Sequence, residues 1–144
     1  MRLLFLLGAA LPLAACMAAG GGTGAVTSPH GRPAGPARVE FTTNGGATAE
    51  MTVTLPDGEA FRGPAVSGRR QAGPGLGFGP GKGDVFITAP GRAWTGEITA
   101  ALRSAAGRTM DCRLTEKRTG LGLEGGAAGH CTVSDGRRVQ IDIL

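Results

Sequence analysis

The residues of this 144-residue chain with chemistry to offer are three cysteines, two histidines and a thin scatter of carboxylates. Cys112, Cys131, His130 and His30 are zinc-ligand types, but zinc needs a spacing that lets side chains converge. His130 and Cys131 are adjacent, and neighbours on a strand face opposite ways. His30 lies far off in a Gly- and Pro-rich stretch, so no metal and no cofactor is expected. His130, Ser134 and Asp135 are the residue types of a hydrolase triad. Val133-Ser134-Asp135-Gly136, however, reads first as a turn. Glu97, Asp111, Glu116, Glu124 and Asp135 are dispersed, and no spacing marks two of them for acid–base work. Gly73 to Gly83 carries glycine at every odd position, which invites comparison with a phosphate loop. That loop needs a glycine five residues before Gly81 and a hydroxyl residue after Lys82. Leu76 and Gly83 stand there instead. The catalytic patterns fail, and an enzyme is not expected.

The first residues, "MRLLFLLGAALPLAAC", have a different logic. Met1 and Arg2 make a short basic start, and Leu3 to Leu13 an apolar run broken only by Gly8 and Pro12. The run is too short to span a bilayer and ends in small residues, as an export signal does. Leu13-Ala14-Ala15-Cys16 resembles the lipobox of bacterial lipoprotein precursors. The resemblance implies that residues 1–15 are removed and that Cys16 becomes the first mature residue, carrying a diacylglyceryl thioether and usually a third chain on its amine. The competing reading is an ordinary secretory signal cut a few residues later. One acyl chain binds a membrane marginally, whereas several hold it permanently. The lipoprotein resemblance therefore implies residence in the bacterial cell envelope, on the periplasmic side or at the cell surface.

Loss of Arg2 with the signal lowers the formal charge from +4 to +3. An exported, mildly basic protein meets anionic lipids, wall polymers and other envelope proteins, not nucleic acid. The 27 glycines, single Trp and lack of Tyr promise a modest core, which a covalent staple would help. With Cys16 taken by lipid, Cys112 and Cys131 remain as an even pair in an oxidising compartment and are expected to bond. The alternative is two free buried thiols.

These residues need elements to position them. From Met17 to Ala37 the chain is Gly-, Ala- and Pro-rich without apolar periodicity. With Cys16 it reads as a flexible lipidated tether over residues 16–37. Beyond it, alternation sets in. Met51, Val53 and Leu55 share a face, as do Trp94, Ile98, Ala100 and Leu102, and then Val139, Ile141 and Ile143. This is half-buried strand patterning. Hairpin turns fall at Pro56-Asp57-Gly58, before Gly107 and at Ser134-Asp135-Gly136, each glycine followed by a charged residue. Gly73 to Gly83 reads as a long flexible excursion between two halves of the sheet, because Pro74 and Pro80 argue against a central strand. Residues 119–129 form a second glycine-rich loop inside the expected disulfide.

Met110, Cys112, Cys131, Ser134, Asp135, Gly136 and Arg137 together resemble the C-terminal part of small bacterial envelope proteins. These have a Met-x-Cys strand, a glycine-rich loop, a second Cys and a Ser-Asp-Gly-Arg turn; the resemblance implies no activity. The expected fold is all-β: over residues 38–144, a small antiparallel meander closing into a compact barrel or a sandwich. The basic pairs Arg69-Arg70, Lys117-Arg118 and Arg137-Arg138 lie beside expected loops and would form one cationic binding rim if the turns cluster. The expected role is binding or envelope architecture, toward an envelope protein or an anionic surface polymer, in an unassigned oligomeric state. Two other roles fit the same fold. One is a lipocalin-like carrier of a small apolar ligand. The other is a hydrolase inhibitor that places the Arg137-Arg138 turn in an acidic cleft.

Overall fold

The computed structural model of the protein describes residues 17–45, 47–72, 75–78, 85–88 and 91–144. The export signal and Cys16 lie outside the described residues. Ten strands follow in order: β1 (Ala18–Thr27), β2 (Pro33–Thr43), β3 (Thr48–Thr54), β4 (Ala60–Ala72), β5 (Gly75–Phe78), β6 (Val85–Thr88), β7 (Gly91–Ser104), β8 (Thr109–Glu116), β9 (Ala127–Val133) and β10 (Arg138–Ile143). A 3-10 turn of helix, Gly122–Gly125, lies between β8 and β9. Eight strands close into a barrel in the order β1-β10-β9-β8-β7-β4-β3-β2, and β5 and β6 form a separate two-stranded sheet. Every neighbouring pair is antiparallel, and the chain runs up and down round the wall. The meander is thus a barrel, not a sandwich.

Alternation explains the wall. Val39 and Phe41, Met51 and Val53, Ile98 and Leu102, Met110 and Leu114, Val139 and Ile141 all point inward and are buried. Their neighbours Glu40, Thr52, Thr99, Asp111, Arg113 and Gln140 point outward or lie partly open. An eight-stranded barrel is just wide enough for side chains to fill it. Phe61, Met51, Met110 and Ile143 are each 0% exposed, so none borders a space that water could enter. Strands that cross a membrane carry the reverse pattern, apolar outside and polar within. The described wall is built to face water.

The expected tether does not hold past its first residues. Residues 18–27 and 33–43 are β1 and β2, each paired along its length. The apolar alternation was hidden because three inward positions of β1, Gly20, Gly22 and Gly24, carry no side chain. Large neighbours fill the space instead. A Cβ on Gly20 would collide with the Phe41 ring, and one on Gly24 would lie 3.0 Å from Val139 Cγ1 and 3.2 Å from Ala37 Cβ. The folded unit therefore begins at about residue 18, not 38.

The excursion after β4 is more ordered than expected. Beyond Ser67 on β4 and ahead of Glu97 on β7, the two strands pair only with each other, forming an arm that leaves the barrel. Within the excursion Gly75–Phe78 pairs with Val85–Thr88 as a hairpin. Pro74 and Pro80, as well as Gly81-Lys82, lie outside the described residues.

Candidate functional site at the two barrel ends

The meander gives the barrel two unlike ends. The connections β1–β2, β3–β4, β7–β8 and β9–β10 all fall at one end and are built alike. In each, a residue donates its N–H to the carbonyl four positions on, and the intervening glycine donates back to that residue. The pairs are Ser28–Arg32 with Gly31, Leu55–Glu59 with Gly58, Ser104–Arg108 with Gly107, and Val133–Arg137 with Gly136. The four glycines take φ of 78°, 89°, 84° and 94°, a left-handed conformation that closes a three-residue hairpin. Three of these turns were legible in the sequence. The fourth, Ser28-Pro29-His30-Gly31-Arg32, carries the same glycine-then-charge signature but sits in the stretch read as tether.

The residue after each glycine is charged, and the barrel brings three of the four together. Arg108 grips Glu59 with two nitrogens, Nε to Oε1 at 2.8 Å and Nη2 to Oε2 at 2.9 Å. Arg137 reaches the same carboxylate through Nη2 at 2.7 Å, Asp135 through Nε at 2.8 Å, and Asp57 through Nη1 at 3.0 Å. Asp57 and Asp135 each also accept the backbone N–H two residues on, both at 3.0 Å. Glu59 and Arg137 are only 11% and 16% exposed at the side chain. The bonds from Arg108 pull the Glu59 carboxyl down to about 2 from its ordinary 4.5; burial opposes this and Arg137 adds to it. Glu59 pushes Arg108 up. Burial works against the Arg137 charge, but its bonds to Glu59 and Asp135 outweigh that and raise it too. Asp57, Glu59 and Arg108 were not singled out from the sequence, although the repeated glycine-then-charge step places two of them in matching register.

The opposite end is irregular. Between β8 and β9 the chain folds over the barrel mouth and buries Leu123 to 4% exposure. Lys117 pairs with Asp142, and its backbone N–H bonds to the Gly126 carbonyl at 2.9 Å. Arg118 donates to the Gly125 and Glu124 carbonyls at 3.2 and 3.4 Å. Glu116, 6% exposed, accepts the Gly120 N–H on Oε2 at 2.6 Å. Its Oε1 is buried without a partner. The arm of β4 and β7 leaves from this end, with Arg69 and Arg70 in register with Trp94 and Ala93.

The single cationic rim is therefore overturned. Arg137 and Arg138 lie at the turn end, whereas Lys117-Arg118 and Arg69-Arg70 lie at the loop end, about 25 Å away along β8 at 3.3 Å per residue. Up-and-down topology sends alternate connections to opposite ends, so basic pairs in β9–β10 and β8–β9 cannot meet. Arg137 is also committed to three carboxylates.

The cysteines do meet. Cys112 and Cys131 face each other across β8 and β9 and are disulfide-bonded, 2% and 0% exposed, with Cα atoms 4.0 Å apart. His130 is exposed on the outer face of β9 and His30 is exposed in the first turn. Among the described residues no three His, Cys, Asp or Glu side chains converge for a metal. The Ser134 hydroxyl accepts the Thr109 N–H at 3.2 Å, and Asp135 is held by Arg137. Among the described residues no helix is long and apolar enough to cross a membrane. No known protein family, no curated protein and no solved structure matches the chain.

Proposed function

We propose that the protein is a bacterial envelope lipoprotein, fixed to a membrane through lipid on Cys16, whose barrel binds a partner or serves envelope architecture without catalysis. The observation that carries this is the position of Cys16 against the fold. The barrel starts at Ala18, so the lipobox-like segment ends where the folded unit begins. From Ala18 onward, eight strands build one water-facing barrel. Its interior is packed with side chains, its only described cysteine pair is closed and buried, and the charged side chains of its turn end are hydrogen-bonded to one another. Such a molecule offers surfaces rather than a reaction chamber. A packed interior supports surface binding over carriage of an apolar ligand. An Arg137 already bound to three carboxylates favours a structural task for that side chain over insertion into another protein's cleft. The partners this surface suits are an envelope protein or an anionic surface polymer.

The test is replacement of Cys16 by Ser, followed by membrane fractionation and mass measurement of the mature N-terminus. Retention should be lost together with the acyl mass. Unchanged retention by an unacylated chain would refute the anchor. Crosslinking in intact cells then identifies the partner. A protein or glycan adduct supports binding, and turnover of an envelope substrate abolished by His130→Ala or Asp135→Asn would make the protein an enzyme.

A further inference from the structure

We infer that the loop end of the barrel rests directly on the bilayer, through Met17 and Leu121, and that the four-turn end is the face held out toward partners. This deepens the lipoprotein reading and rests on it. With a tether of some twenty residues the barrel could stand off the membrane and tumble. The structure removes that freedom. From Cys16 to Ala18 there are two residue steps, which span at most about 7 Å. A lipid on Cys16 thus holds the start of β1 at headgroup level.

The surface at that end suits the position. Outside residues 69–94, the large apolar side chains left exposed among the described residues are Met17 at 62%, Val66 at 43%, Leu121 at 52% and Leu144 at 93%. Met17 precedes β1, Leu144 follows β10, and Leu121 lies in the β8–β9 connection, all at the loop end. Val66 pairs with Thr48, the first residue of β3, just below the same rim. The turn end has no such residue among those described; it is covered by the Glu59, Arg108 and Arg137 network. Exposed apolar groups gathered at one end mark a contact surface. The charges there are mixed. Lys117 is matched by Asp142 and Arg118 donates to the Glu124 backbone carbonyl, while Arg69-Arg70 adds cations on the arm, so apolar contact and attraction to anionic lipid together hold this end down.

The test uses the full lipidated protein in vesicles of phosphatidylcholine and phosphatidylglycerol containing a spin-labelled quencher lipid. A fluorophore is placed on Leu121→Cys or, at the other end, on Ala105→Cys in the exposed β7–β8 turn. The buried disulfide leaves the new thiol as the labelling site. Quenching at 121 should exceed that at 105 several-fold. Equal quenching, or stronger quenching at 105, would overturn the orientation. So would a 121 label shielded from aqueous iodide but untouched by the lipid quencher, because a protein would then cover that end. A chain that neither floats with the vesicles nor carries acyl mass would refute the lipoprotein reading itself, an outcome distinct from flotation without quenching.

Discussion

Glu59 is the residue on which the turn end depends. It joins turns separated by 49 and 78 positions in sequence and receives three charge-assisted hydrogen bonds. Glu59→Gln leaves Arg108 and Arg137 facing a neutral amide, and should destabilise the fold by about 1–3 kcal/mol in urea titration. The pH dependence has a definite sign. A carboxyl lowered to about 2 from 4.5 binds its proton more weakly folded than unfolded. Its stabilisation is therefore full above about pH 4.5 and is lost as pH falls toward 2. Unfolding midpoints of the wild type should drop through that window, and the drop should be smaller in Glu59→Gln. The cystine makes a second residue-scale case. Its sulfurs close a loop of sequence separation 19 in the core, which the loop-entropy account values at about 3 kcal/mol. Replacing both Cys112 and Cys131 with Ala should cost at least that much in denaturant. Because both are buried, the native disulfide should resist a thiol reductant that opens it readily in urea.

At the scale of elements, β1 decides the most. It closes the barrel by pairing with both β2 and β10, and it does so with a run of glycines. Glycine weakens an isolated strand, but here it admits Phe41, Ile143 and Val139 from the neighbours. Gly24→Val would overfill that contact and should destabilise by about 1–3 kcal/mol, whereas Thr23→Val on the outer face should be nearly silent. Were residues 17–37 a tether, both changes would be neutral in a denaturation curve. The alternation in β3, β7 and β10 was readable because most of their buried inward residues are Met, Val, Leu and Ile. In β1 the same alternation exists as an alternation of nothing with Thr and Ala, which hydropathy cannot register.

For the whole molecule, closure is independent of the β5–β6 hairpin. β4 and β7 pair directly, from Phe61 with Ser104 to Ala72 with Gly91, so the excursion between them adds no strand to the wall. Replacing residues 73–90 by a two-residue Asn-Gly turn should leave a strand-dominated far-UV spectrum and an unfolding free energy within about 1 kcal/mol of the parent. Collapse of the barrel on that excision would show that the hairpin holds the wall together. Polarity is the other property of this scale. One end is closed by four matched turns and a charge network, and the other by an irregular loop that buries Leu123.

By itself the sequence determined the strand class, three of the four matched turns, and the two cysteines that bond. Each is a local signal: a period of two, a glycine where φ must be positive, and an even pair of thiols left over. Only the tertiary structure decided that residues 18–37 belong to the wall. It also decided that the basic pairs split between opposite ends and that Glu59, Arg108 and Arg137 form one cluster. The physical reason is common to all three. Where a strand is lined by glycine, its inward face is defined by side chains from other strands. Where a residue stands after a turn, its partners are set by which turns the closed barrel brings to the same end. Neither relation exists in the chain until β1 has met β10.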